Sequence, residues 1–71
     1  MTPPLAASLR RTAIRLGRRL ALENPIAVAL RHDPGLAERE DTTPEDHDVA
    51  AVLRAIDRLV DALDDWQQPS P

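Results

Sequence analysis

Two stretches of this chain carry a helical rhythm of apolar positions, and what lies between them is short and heavily punctuated. From Leu5 to Glu23 the residues Leu5, Leu9, Ala13, Leu16 and Leu20 recur at steps of three and four. Arg10, Arg11, Arg15, Arg18 and Arg19 occupy the opposite face, so the pattern predicts an amphipathic helix. From Pro44 to Trp66 the residues Val49, Val52, Ile56, Leu59, Leu63 and Trp66 alternate steps of three and four, the a/d rhythm of a coiled-coil seam. Ala51, Ala55 and Ala62 line one side of that seam and Leu53 and Val60 widen the other, which predicts more than one neighbour for this second helix.

Four dipeptides, Thr2-Pro3, Asn24-Pro25, Asp33-Pro34 and Thr43-Pro44, each join a helix-capping residue to a proline. A capping side chain accepts from an orphaned backbone N–H, and proline has no N–H to orphan, so helices are expected to begin near residues 3, 25, 34 and 44. Glu45 and Asp46 strengthen the last of these, because acids in a first turn complement the helix dipole. Gly17 costs the first helix roughly 1 kcal/mol relative to alanine and lies at the margin of its apolar stripe, a position that would suit a close neighbour needing the space. Ile26 to His32 fits either a short helix or a small strand; the cap-proline start and the lack of a second strand favour helix. Asp33-Pro34-Gly35 then ends it, Leu36 to Glu40 reads as a single irregular turn, and residues 67–71 read as a disordered tail.

Together these elements predict an all-α fold: an antiparallel helical hairpin of helices 3–23 and 44–66, joined through a short helix at 25–32, in one domain over residues 1–66. The apolar stripes are expected to meet, Leu5, Leu9, Leu16 and Leu20 against Val49, Val52, Ile56, Leu59 and Leu63, with Trp66 closing the seam. A two-helix core leaves an apolar edge, to be covered by the short helix or by a second copy that completes a four-helix bundle.

Composition narrows the chemistry more than it names it. With 71 residues, no cysteine and one aromatic, the chain has no disulfide, no thiolate and a core built from aliphatic side chains. All nine basic residues are arginine, so Schiff-base lysine chemistry is excluded. Ser8 and Ser70 have no base near them in sequence, and a chain this short is not expected to enclose a ligand-sized pocket alone, so no catalytic residues, cofactor or enzyme activity are expected. His32 and His47 fall at helix ends among abundant acids without metal-ligand spacing, so no metal site is expected either. No apolar run approaches a membrane span and no signal-peptide core follows the start, which sets a cytoplasmic expectation.

Charge then polarises the picture. The first 22 residues hold five arginines and no acid, and the following 49 hold all twelve acids against four arginines. Such a chain can satisfy itself, a second copy, or an anionic surface. The leading expectation is a small non-catalytic interaction module, an adaptor, chaperone-like protein or regulatory subunit, that associates through its apolar helix faces with itself or with a helical partner protein. The alternative is attachment to an anionic membrane surface through the basic face of the first helix. An acidic pI near 5.2 and the absence of aromatics beside the arginines argue against nucleic acid. Residues 24–34, Asn-Pro-Ile-Ala-Val-Ala-Leu-Arg-His-Asp-Pro, resemble the segment around the self-cleaving Asn-Pro bond of the export-switch proteins of flagellar and type III secretion systems. The Thr-His pair that follows the proline in that family and the Val-Val-Ala-Lys-Gly-like strand beyond it are missing, so neither cleavage, fold nor partners are carried over.

Overall fold

The computed structural model describes residues 3–39 and 42–67, and every regular element among them is helix. Four helices follow in order: α1 Pro3–Glu23, α2 Pro25–His32, α3 Leu36–Arg39 and α4 Pro44–Gln67. Thr2 and residues 68–71 of the expected tail lie outside the described residues, and Gln67 still belongs to α4. Residues 26–30 are helical, so the strand alternative falls away.

The prolines act differently at each boundary. At Asn24-Pro25 the Asn24 N–H still donates to the Leu20 carbonyl at 2.9 Å, and Val28 N–H donates back to Asn24 at 3.1 Å. Proline therefore removes one rung and bends the chain with almost no gap. The Asn24 side chain does not cap α2, contrary to expectation; its Nδ2 donates to Leu20 O at 3.4 Å instead. Asp33 closes α2 rather than opening a helix, and its Oδ1 accepts from Gly35 N–H at 3.1 Å in a tight turn, so α3 starts at Leu36. Thr43 does cap α4: its Oγ1 accepts from Asp46 N–H at 3.3 Å while Asp46 Oδ2 accepts from Thr43 N–H at 3.2 Å, a reciprocal capping box.

α1 and α4 form the antiparallel hairpin, and α2 packs against α4 near its closed end. The core is narrower than the seam pattern implies. Its buried members are Ala6, Ala13, Ala27, Leu30, Ala50, Leu53, Ile56 and Leu63. Around Leu30 and Leu53, the largest fully buried side chains, sit Ala27 and Ala50, with Leu20, Val28, Leu36 and Val49 packed at the edge. Of the stripe residues expected to meet, only Leu20, Val49, Ile56 and Leu63 turn inward. Leu5, Leu9, Leu16, Val52, Leu59 and Trp66 are between 42% and 50% exposed.

Residue size explains the correction. On α1 the inward column is Ala6, Ala13 and Gly17, and a Cβ built on Gly17 would stand 3.4 Å from Ile56 Cγ2. Small side chains let α4 approach closely along that line, and the larger leucines on the adjoining column are pushed to the flank. On α4 the seam splits: Val49, Ile56 and Leu63, spaced by seven, face α1, whereas Val52, Leu59 and Trp66, also spaced by seven, do not. Leu53, read from the sequence as a flanking residue, becomes the centre of the core because α2 covers it.

Two stability predictions follow from this packing. Leu53→Ala removes the most enclosed large side chain and should cost about 2–5 kcal/mol, enough to unfold most of the population in a thermal circular-dichroism melt. Gly17→Ala places a methyl at ordinary contact distance from Ile56 and recovers helix propensity, so it should raise stability by roughly 0.5–1 kcal/mol; a lowered melting midpoint would show that the interface has no room.

Candidate functional site

The antiparallel register is fixed by Arg10, which forms an ion pair with Asp64, and by Gly17, which stands against Ile56. At 100° per residue, Leu5, Leu9 and Leu16 fall on one flank of the buried column of α1, and Ile14, Arg18 and Ala21 fall on the other. The same construction on α4 separates Val52, Leu59 and Trp66 from Asp57, Val60 and Asp61. Ile14, Arg18 and Ala21 share one cleft with Asp57, Val60 and Asp61, beneath Arg31 of α2. The two opposite flanks therefore share the other side of the hairpin, which no helix among the described residues covers.

That open side is apolar and continuous. In the order set by the register, Leu5, Trp66, Leu9, Leu59, Leu16 and Val52 alternate between the two helices over about 25 Å at 1.5 Å per residue. At its margins lie Thr12 and Arg19 on α1, and Glu45, Asp48, Ala55 and Ala62 on α4, all exposed. The patch covers on the order of 500 Å², toward the upper end of what a soluble monomer exposes.

The covered side is a cleft of about 470 Å³, open along its length, with an apolar floor and charged lips. Its volume reaches the ligand-pocket range although the sequence argument expects no enclosed pocket of that size. Arg31 Nε lies 3.4 Å from Asp57 Oδ2 across its mouth, an ion pair without an aligned hydrogen bond. Arg54 donates from its guanidinium to the Leu30 carbonyl at 2.9 Å and so satisfies the last turn of α2. These two arginines tie α2 to α4, a role that position in the sequence does not reveal.

The five arginines of α1 divide. Arg10 pairs with Asp64, and Arg19 lies 3.5 Å from Glu23 within its own helix. Arg11, Arg15 and Arg18 have no carboxylate within ion-pair distance among the described residues, and with Ile14 they border a shallow surface groove. The internal pairing of the basic face with α4 thus rests on Arg10 alone. His47 Nε2 is 2.8 Å from Thr42 Oγ1 at the start of α4, and His32 Nε2 is 3.1 Å from the Arg31 guanidinium, so both histidines are engaged locally. Among the described residues no three His, Cys, Asp or Glu side chains gather in a way that could hold a metal ion. No helix among them is long and apolar enough to cross a membrane.

Compared with known protein families, with characterised proteins and with solved structures, the chain shows no match.

Because Arg11, Arg15 and Arg18 are exposed and carry no ion pair, the triple change Arg11→Gln/Arg15→Gln/Arg18→Gln should leave helicity unchanged and shift unfolding free energy by no more than about 0.5 kcal/mol per site. A collapse of the denaturation midpoint would instead place these side chains in the packing of the fold.

Proposed function

We propose that this protein is a small non-catalytic association module whose working surface is the open apolar face of its helical hairpin. The observation that carries this reading is the side-by-side exposure of Leu5, Leu9, Leu16, Val52, Leu59 and Trp66 on one side of α1 and α4. An aliphatic patch of this extent, centred on an aromatic and leucines and edged by charge, is the anatomy of a protein-binding surface. Helical partners fit it best, because its alternating columns repeat every seven residues.

Attachment to an anionic membrane through α1 draws less support. An interfacial helix inserts its apolar face with cations arrayed beside it. Here the apolar face is shared with α4, which carries seven acids and two arginines and a net charge of minus five. An anionic bilayer brought to this face would meet Glu45 and Asp48 along its edge, and the unpaired Arg11 and Arg18 point away toward the cleft side.

A photoreactive benzophenone side chain placed at Leu9 or at Leu59 in the full chain tests the reading in cells. The expected outcome is protein adducts from both positions, mapped to a helical segment by peptide mass, and none from a control probe at Leu22, which is 85% exposed on the outer surface of α1. Lipid adducts from the α1 probes, or equal labelling from Leu22, would overturn it.

A further inference from the structure

We infer that the occupant of the open face is a second copy of this chain, related by a twofold axis parallel to the helices, so that α1 of each copy lies across α4 of the other. The inference rests on the association reading above and adds the identity of the partner and its orientation.

Three observations carry it. The hairpin turns in Ala6, Ala13, Gly17 and Leu20 on α1 and Val49, Leu53, Ile56 and Leu63 on α4, and leaves the adjoining heptad columns half exposed, Leu9 and Leu16 on α1 and Val52, Leu59 and Trp66 on α4. A four-helix bundle is the assembly that buries such adjoining columns as well, and two copies supply the four helices. Next, the exposed columns match under the twofold. An axis parallel to the helices preserves height, which brings Leu16 level with the Leu59 of the second copy and Leu9 level with its Trp66, in antiparallel contact throughout. The exposed Ala55 and Ala62 edge of α4 gives the facing α1 room to settle.

Charge selects this arrangement over the other. α1 carries five arginines and one glutamate, net plus four, and α4 is net minus five. A twofold perpendicular to the helices would stack α1 on α1 and α4 on α4, like charge on like. The parallel axis sets a helix of net plus four against one of net minus five twice. Joining two patches buries about 1,000 Å² before the rims are counted, the lower bound for a specific interface.

The test uses the full chain, which has no native cysteine. Sedimentation equilibrium of the unmodified protein should give a dimer whose dissociation constant rises with NaCl, since screening weakens attraction between unlike helices. Leu16→Cys and Leu59→Cys, both at half-exposed positions that the hairpin does not bury, should each stay free of disulfide when oxidised alone and form the mixed disulfide when combined in equal amounts. Leu9→Ser/Leu59→Ser should retain helicity while weakening the dimer at least about 100-fold. Self-disulfides in each variant alone, or a dimer tightened by salt, would overturn the orientation. A folded monomer at all concentrations would overturn the second copy as occupant; if the Leu9 and Leu59 probes then label another protein, the association reading still stands, and if they label nothing, both fail.

Discussion

Two α-helices lying side by side enclose only a narrow seam of side chains between them, and on α1 the residues of that seam are small. Ala6, Ala13 and Gly17 bring the α1 backbone close to Ile56 and Leu63, and that close approach fixes which residues are hidden. Larger side chains one step round the helix cannot enter the gap, so the bulk of the aliphatic surface stays at the flanks. Half of the buried set is alanine, and alanine contributes little transfer free energy. The arrangement is geometrically firm and energetically thin, as expected of a chain of this length with no disulfide.

α2 compensates at one end only. It folds back immediately after the Asn24-Pro25 bend, covers Leu53 and Ala50 with Ala27 and Leu30, and is tied to α4 by two arginines acting in different ways. Arg54 reaches a carbonyl that the end of α2 would otherwise leave without an intrahelical donor, and a charged donor strengthens that bond. The Arg31 and Asp57 pair is more exposed on its acidic side, where solvent screening leaves it a modest contribution. Because α2 sits on one flank, it makes the hairpin two-sided: one side a charged cleft, the other an apolar strip.

The two long helices, the short helix after Asn24-Pro25 and the antiparallel pairing were legible in the sequence, because proline placement and the three-four rhythm are local signals, whereas α3 was read as an irregular turn and Asp33-Pro34 as a helix start. Thr43-Pro44 with Asp46 three residues on was the clearest, and it folds as a capping box. Which column turns inward was not legible from rhythm, since positions a and d alternate identically around a helix. The deciding signal was volume. Ala6, Ala13 and Gly17 mark the contact line of α1, and weighting small residues above leucines would have found it. The importance of Leu53 was hidden for another reason: it depends on where α2 returns, and that is set by a bend at Asn24 whose direction no periodicity encodes. The division of labour among the arginines was equally invisible, because ion pairing depends on register across the hairpin.

The exposed strip and the charge asymmetry answer different questions about recognition. Apolar area supplies driving force without direction, and a patch of modest area matches many aliphatic surfaces about equally well. In the proposed dimer, direction would come from the contrast between a helix of plus four and a helix of minus five, because the other twofold would bring like charges together. A sequence that needed only to fold would gain more from distributing its arginines among its acids. Keeping the charges segregated on two helices costs internal pairing and leaves the hairpin electrostatically polarised, the property on which the proposed dimer depends.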